Sequence, residues 1–150
     1  MITAYVDGAN RISKPGMAAC AWALFKGPEE QAFGCAYLGP ETHTNNYAEW
    51  QALLRLLRWL YEQKITDVLI HSDSMLVIEQ TMGRWEIKQE EFRPYAAEAY
   101  GLLTQGHHRL LHVRGHGKNE NATDNERNDY VDKLCNQVLD RQEEINASKT

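Results

Sequence analysis

Four carboxylates stand where strands or helices of this sequence are expected to begin or end. Asp7 follows the apolar segment ITAYV, and Asp73 follows a segment rich in β-branched and aliphatic residues. Glu49 lies in the first turn of a predicted helix, and Asp129 lies in the first turns of the last one. Strand ends and helix starts meet at one edge of an α/β sheet, where binding sites are usually built. Carboxylates that meet there repel one another unless a divalent cation neutralises them.

The chemistry expected of such a site follows from its oxygen ligands. Carboxylate oxygens without histidine or cysteine select Mg²⁺ or Mn²⁺ over zinc. Two such ions about 4 Å apart form a clamp for in-line displacement at a phosphodiester. One ion activates water and the other stabilises the leaving oxygen, so the four acids predict a two-metal site that cuts or forms phosphodiesters.

Each of these acids also has an ordinary structural interpretation. Asp7 with Gly8 is a typical strand-ending turn, and Glu49 is a favourable charge near a helix N-terminus. Asp73 is a suitable N-cap for the helix that follows it. Asp129 is compatible with a solvated helix surface. Three neighbouring acids are alternatives for its role: Asp124, Glu126 and Asp132.

The elements that position these acids are predicted from periodicity. Short β-branched and aromatic runs predict five strands, at 2–6, 17–25, 31–39, 67–72 and 108–115. Apolar residues three and four apart predict four helices, at 47–61, 74–83, 89–106 and 126–142. Thr44 or Asn45 is the expected N-cap of the first helix, Gly83 ends the second, and Pro94 kinks or restarts the third. The order βββ-α-β-α-α-β-α predicts an α/β fold with a mixed five-stranded sheet flanked by helices.

Composition predicts one soluble domain. The chain has 150 residues, of which 43% are hydrophobic and 25% charged, and we expect a single domain at 1–142 with a polar, frayed tail at 143–150. No apolar run approaches the roughly 20 residues that span a bilayer, and the start of the chain does not resemble a secretion signal. We therefore expect a cytoplasmic protein that binds no membrane and acts as a monomer.

Cysteine content and net charge bear on the compartment and the partner. The three cysteines, Cys20, Cys35 and Cys135, form no C-x-x-C motif and are typical of free thiols in a reducing cytosol, although Cys20 and Cys35 could face each other on neighbouring strands. A net charge of −5 argues against a nucleic-acid partner. This objection weakens if several acids are gathered at one metal site, because bound cations reverse the local charge.

Four segments resemble type 1 ribonuclease H: YVDGA, THTNNYAEWQAL, IHSDSMLVI and HVRGHGKNENATDNERNDYVDKL. They occur in the order found in that family and extend from residue 2 to about residue 140. The resemblance implies the ribonuclease H-like fold, with a mixed five-stranded sheet whose first strands are antiparallel. It also implies hydrolysis of the RNA strand of an RNA/DNA hybrid with two Mg²⁺ ions.

The resemblance assigns roles residue by residue. By motif position, the metal-binding acids are Asp7, Glu49, Asp73 and Asp129. His116 matches a mobile-loop histidine that helps protons move or products leave. Asn45 and Asn46 match residues that contact nucleic acid around the scissile phosphate, although Asn45 also fits a helix cap.

The chain departs from the family pattern in two places. Lys14 or its neighbour Ser13 falls near the position of a polar substrate contact, in a segment where the motif is altered. Larger members carry a basic, tryptophan-rich protrusion after the second helix, where this chain has only MGRWEIKQEEFRP. Trp85, Arg84 and Lys88 are the expected remnant of that substrate-binding surface, stacking against or pairing with the DNA strand. The alternative is that Trp85 packs at the edge of the core.

Three other functions compete with hybrid cleavage. A nuclease of the same fold could act on DNA junctions or single strands, but the pairing of TNN-x-x-E with N-E-R-x-D is typical of type 1 ribonuclease H. A non-catalytic nucleic-acid-binding module would be expected to lack at least one acid, and none is missing from the motifs. A soluble α/β domain with four unrelated acids is the simplest alternative.

Overall fold

A mixed sheet forms the centre of the fold in residues 1–11, 13–41 and 43–149, which the computed structural model describes. Its strands are β1 (Ile2–Asn10), β2 (Ala18–Lys26), β3 (Glu29–Tyr37), β4 (Val68–Ser72) and β5 (Arg109–His112), in the spatial order β3-β2-β1-β4-β5. The first three strands are antiparallel, and β1, β4 and β5 are parallel. The predicted α/β fold with its mixed five-stranded sheet is therefore confirmed.

Helices cover both faces of this sheet. They are α1 (Asn45–Gln63), α2 (Met75–Thr81), α3 (Arg93–Gln105) and α4 (Ala122–Ser148), with a 3₁₀ turn at Glu90–Phe92 before α3. One core forms where α1 and α3 pack on one face, around Trp50, Leu53 and Ile70. A second core forms where α4 packs on the other face, against Tyr5 and Phe25. The sheet therefore separates two apolar layers, and β2 is buried on both of its faces.

Some sequence positions lie outside the described residues. They are Ile12 in the altered segment near Lys14, Thr42 at the start of the THTNN motif, and Thr150 at the end of the predicted tail. No helix in the remainder of the chain is long and apolar enough to cross a membrane.

The caps of the helices agree with the sequence in most places. Thr44 caps α1, because its hydroxyl oxygen accepts a hydrogen bond from the backbone of Tyr47 at 3.1 Å. Ser74 caps α2, so Asp73 is not the cap of that helix. Gly83 follows the end of α2 with φ of 77°, a left-handed conformation that glycine adopts without strain. Pro94 lies in the first turn of α3, as expected for a restart after the 3₁₀ turn.

Strand β1 and helix α4 both extend well beyond their predicted boundaries. Strand β1 continues past Asp7 to Asn10, because its antiparallel pairing with β2 continues to Asn10 opposite Ala18. Helix α4 begins at Ala122, where the Asn121 side chain caps the first turn, and it continues to Ser148. Residues 143–148 are therefore helical rather than frayed.

The cysteines do not approach one another as the sequence allowed. Cys20 is opposite Ala36 and Cys35 is opposite Ala21, so the two side chains point to opposite faces of the sheet. All three cysteines are free thiols.

Candidate metal centre

Asp7, Glu49 and Asp73 converge at one edge of the sheet. One carboxylate oxygen from each lies within 4.8 Å of the others, although the residues are separated by 42 and 24 positions in the chain. Asp7 and Glu49 are buried and Asp73 is half-buried. Three of the four acids predicted from the sequence therefore meet in a single cluster.

The pairing of β1 with β4 brings the two aspartates together. This parallel ladder ends with Val6 opposite Ser72; Asp7 is the next residue on β1, and Asp73 directly follows β4. The two backbones separate at this point, because β1 continues beside β2 while β4 gives way to α2. Asp7 on β1 and Asp73 immediately after β4 are thus held by neighbouring strands, which orient ligands more precisely than a loop does.

Gly8 allows Glu49 to join them. A methyl carbon built on Gly8 would lie 2.4 Å from the carbonyl carbon of Ala48, far inside van der Waals contact. The absence of a side chain therefore lets the first turn of α1 lie directly on β1. The backbone N–H of Gly8 donates a hydrogen bond to one oxygen of Glu49 at 2.9 Å, and to Asp7 at 3.0 Å. Gly8 therefore allows α1 to lie close to β1, and it does not end the strand.

The cluster is electrostatically unfavourable without a cation. Burial, followed by repulsion from Glu49 and Asp73, raises the pKa of Asp7 well above its usual value. Burial, followed by repulsion from Asp73, raises the pKa of Glu49 to about 8. Burial is also the largest cause that raises the pKa of Asp73. The second oxygen of Glu49 is buried and has no hydrogen-bond partner among the described residues. Without a cation these carboxyl groups therefore resist ionisation, and one potential ligand atom remains unsatisfied.

On α4, Asp132 is the acid whose charge acts on the cluster, and Asp129 is not among the three carboxylates that converge. The charge of Asp132 adds to the repulsion that raises the pKa values of Asp7, Glu49 and Asp73. On α4, Asp132 follows Asn128 by four residues, so the two lie on the same side of the helix. Asp129 is one position past Asn128, about 100° further around the helix, and both Asp129 and Asp132 are exposed. The predicted Asp129 is therefore not among the converging carboxylates, and the helix phase favours Asp132, one of the alternatives that the sequence left open.

Asn128 is a site residue that the motif comparison missed. It is buried, and a hydrogen bond from its side chain offsets part of the upward shift in the pKa of Asp73. Its amide oxygen has no partner in the part of the chain that is described. Helix α4 also contacts Asp7, because the thiol of Cys135 donates to the Asp7 carbonyl at 3.4 Å. The signal that could have identified Asn128 is that it and Cys135 are buried among charged neighbours. That signal can be used only when it is known which side of α4 faces the sheet.

His116 lies at the rim of the cluster. It is exposed, has φ of 59°, and its positive charge would lower the pKa of Asp73. A methyl carbon on the preceding Gly115 would be 3.5 Å from an oxygen of Asp73. His112, at the end of β5, acts on Asp73 in the same direction and was not predicted. The predicted placement of a histidine loop beside the acids is therefore consistent with the geometry.

Asn45 and Asn46 are the first two residues of α1, four and three positions before Glu49, respectively. Because Thr44 supplies the cap, the exposed amide of Asn45 is not needed for that task. The segment before them is anchored by a hydrogen bond from Asn10 to the His43 carbonyl and by stacking of His43 on Tyr47. Both asparagines therefore lie about one helical turn before Glu49.

The remaining predicted substrate contacts are dispersed. The ammonium of Lys14 is 2.9 Å from Glu143 near the end of α4, so an ion pair engages this side chain. Trp85 is 47% exposed and makes no ring stacking contact with a described residue, which argues against the core-edge alternative. Arg84 forms two hydrogen bonds to Glu79. Lys88 is exposed, and its ammonium makes no ion pair within the described ranges.

The donor set fits a hard divalent cation. Asp7, Glu49 and Asp73 offer only oxygen, with Asp132 beside them, and such ligands suit Mg²⁺ or Mn²⁺. The unpartnered oxygen of Glu49 and the mutual repulsion of the acids are both relieved by a bound positive charge. The cluster is therefore suited to metal binding.

Comparison with known proteins places this geometry in a family. A model of the RNase H family matches residues 1–139. The chain is 33% identical over 143 residues to ribonuclease HI of Halobacterium salinarum, covering 93% of this chain but 64% of that protein. The crystal structure of RNase H1 from the same archaeon has 34% identity and a TM-score of 0.75, over 93% of this chain and 98% of that one. LC11-RNase H1, solved in complex with an RNA/DNA hybrid, has the same fold, with a TM-score of 0.76 at 24% identity over 95% and 99%. The chain belongs to the ribonuclease H family.

Proposed function

We propose that this chain is an endoribonuclease that hydrolyses the RNA strand of RNA/DNA hybrids, with two divalent metal ions, Mg²⁺ by preference, held by Asp7, Glu49, Asp73 and Asp132. The proposal rests mainly on one observation: three carboxylates converge within 4.8 Å of one another where β1 and β4 separate. Family membership and the hybrid bound by LC11-RNase H1 support the choice of substrate.

The protein's own residues supply binding, orientation and proton movement. The chemistry that two bound Mg²⁺ ions supply in such a site is activation of water and stabilisation of the leaving oxyanion. Asn128 holds the carboxylate of Asp73 through its side-chain hydrogen bond, and Gly8 holds that of Glu49. Fixed ligands reduce the reorganisation required during reaction.

Recognition of the hybrid is assigned to the α1 N-terminus and to the segment after α2. Asn45 and Asn46 lie beside Glu49, where amides can contact the 2′-hydroxyl and base edges of a wide, shallow minor groove. Trp85 and Lys88 provide an exposed ring and a cation for the DNA strand. Lys14 is a weaker candidate because it already pairs with Glu143.

His116 is proposed as the group that moves a proton or assists product release. Its exposed position, directly after Gly115 at the edge of the acidic cluster, supports this role. Histidine titrates near neutral pH, which suits proton exchange. Action as a monomer in the cytoplasm stays a prediction.

A substrate panel tests the proposed function. Matched RNA/DNA, RNA/RNA and DNA/DNA duplexes are incubated with the protein in Mg²⁺ and in chelator. We expect cleavage of the RNA strand of the hybrid only, and only with metal. Cleavage of DNA would instead indicate a junction or single-strand nuclease. Hybrid binding without cleavage of any duplex would indicate a binding module, and either result would overturn the proposal.

A further inference from the structure

A polar cluster lies directly beneath the acids, on the face of the sheet that α4 covers. Tyr5 precedes Asp7 by two residues on β1, and His71 precedes Asp73 by two residues on β4. Side chains two positions apart on a strand point to the same face. Asp124, from the first turn of α4, completes the cluster. It therefore forms the layer next to the proposed metal ligands.

Direct contacts connect the three side chains. The Tyr5 hydroxyl donates a hydrogen bond to a carboxylate oxygen of Asp124. The His71 ring stacks on the Tyr5 ring, with centroids 4.3 Å apart and planes within 7°, and its Nε2 is 4.0 Å from Asp124. The other nitrogen of His71, Nδ1, lies 3.1 Å from the Ala4 carbonyl and donates to it. One residue of α4 thus contacts both strands that carry the aspartates.

Arg127 fixes the same part of α4 to the opposite end of β1. Its guanidinium donates to the Thr3 hydroxyl at 3.0 Å and to the Gly27 carbonyl at 2.8 Å. It also lies 4.0 Å above the Phe25 ring, within the range of a cation–π contact. The first two turns of α4 are therefore held by several directional bonds, in addition to apolar packing.

Helix α4 links the position of Asp124 to the positions of residues at the metal site. Asp124, Asn128 and Asp132 follow one another at intervals of four residues, so they lie along one side of α4. A rigid helix that shifts at Asp124 also moves Asn128, which bonds Asp73, and Asp132, which adds to the acidic cluster.

We propose that Tyr5 and Asp124 are positioning residues for the metal site, because their hydrogen bond sets the distance of Asn128 and Asp132 from the carboxylates on β1 and β4. The inference rests on the proposed function, in which those carboxylates hold the metal. Neither Tyr5 nor Asp124 touches metal or substrate in this account, and they act only through α4.

A second tyrosine provides a matched control. The Tyr130 hydroxyl, also on α4, donates to Glu30 of β3 at 2.6 Å. This bond joins the same helix to the same sheet and also has a carboxylate acceptor, but it lies on the side away from the acids. Tyr130→Phe therefore removes an equivalent bond without affecting the layer beneath Asp7 and Asp73.

The experiment measures Mn²⁺ binding to the free protein by calorimetry, without nucleic acid, together with the melting temperature in chelator. Loss of outer partners of a metal site typically weakens affinity by 10- to 100-fold, and we expect about 10-fold for Tyr5→Phe and for Asp124→Ala. Asp124→Asn keeps an oxygen that can accept the Tyr5 bond, so it should bind Mn²⁺ within about twofold of wild type. Tyr130→Phe should also be unchanged.

The outcomes separate this inference from the proposed function. Failure of the wild-type protein to bind Mn²⁺ would contradict the metal site itself. Normal wild-type binding with unchanged affinity in Tyr5→Phe and Asp124→Ala would overturn only the positioning role. Equal weakening in Tyr130→Phe would also overturn it, because a general loosening of α4 would then explain the effect. Weakening in Asp124→Asn as large as in Asp124→Ala would show that charge, rather than the hydrogen bond, is responsible.

Discussion

At the scale of single residues, the site consists of acids that destabilise the fold when no cation is bound to them. Buried carboxylates with raised pKa values are characteristic of functional sites, because stability gains nothing from their mutual repulsion. Asp73 illustrates this most clearly. The adjacent Ser74 provides the cap of α2, so the ordinary structural explanation for an acid at this position is absent.

Asp73→Asn is expected to abolish cleavage of the hybrid without lowering the melting temperature. Asparagine preserves the shape of the side chain while removing a repelling charge and a hard metal ligand. Asp67→Asn is the control, because Asp67 is exposed at the opposite end of β4. Cleavage and melting are measured for both variants, and substantial residual cleavage in Asp73→Asn would remove Asp73 from the metal site.

His116→Ala is expected to slow turnover by about 100-fold without abolishing it, the lower range for loss of a general acid or base. His107→Ala is the matched control, because His107 is also an exposed loop histidine with positive φ, of 55°, but at the far end of the sheet. Turnover is measured with hybrid in excess. An unchanged rate in His116→Ala, or complete loss of cleavage, would contradict the assigned role.

At the scale of elements, the sequence was most informative where chemistry and periodicity coincide. Local patterns predict the strand before Asp73, the cap at Thr44 and the order of strands and helices. The structure confirms all three predictions. The phase of α4 does not follow from a motif alone. N-E-R-x-D selects Asp129, whereas Asp132 is four residues after the buried Asn128 and three before the buried Cys135, a spacing that favours Asp132.

Long-range contacts explain the remaining differences between prediction and structure. The end of α4 carries Glu143, which pairs with Arg11 and Lys14 from the other end of the chain. Contacts over such sequence distances cannot be read from local composition, which instead predicts a frayed tail. Strand β1 likewise extends past Asp7 because β2 pairs with it, although Asp7-Gly8 is a typical turn sequence.

The segment between α2 and the 3₁₀ turn is expected to contribute binding rather than folding. Trp85→Ala should weaken hybrid binding by roughly 5- to 100-fold, since stacking of a base on an aromatic ring contributes about 1–3 kcal/mol. Tyr61→Ala is the control, because Tyr61 is also an exposed ring but lies near the end of α1 far from the acids. Binding is measured in chelator to prevent cleavage. An unchanged affinity with a lower melting temperature would instead indicate a packing role for Trp85.

At the scale of the whole molecule, metal binding and folding are coupled through the acidic cluster. Asp7 and Glu49 have raised pKa values in the folded state, so the folded chain binds protons more tightly than the unfolded chain. Their contribution to stability is fully present below about pH 4, the ordinary carboxyl pKa, and is lost as pH rises through the folded values. Glu49 sets the upper part of this window, near pH 8.

The metal-free protein is therefore expected to lose stability between about pH 5 and pH 8. Its free energy of unfolding should fall by about 1.4 kcal/mol for each unit by which a folded-state pKa exceeds the unfolded-state value. The measurement is chemical unfolding in chelator across this range. Glu49→Gln should show a shallower pH dependence, and Mg²⁺ should reduce the slope in the wild-type protein. A slope in Glu49→Gln equal to that of wild type would contradict the linkage.

The measurement that tests the central claim most directly is hybrid cleavage by Asp132→Asn and Asp129→Asn, prepared and assayed side by side in Mg²⁺. The two acids are three residues apart on α4 and both are exposed, so the variants differ chiefly in their position around the helix. We predict that Asp132→Asn loses more than about 100-fold in rate, beyond what outer partners of a metal site typically contribute, while Asp129→Asn stays close to wild type. Loss of cleavage in Asp129→Asn with retention in Asp132→Asn would contradict the site described for this structure.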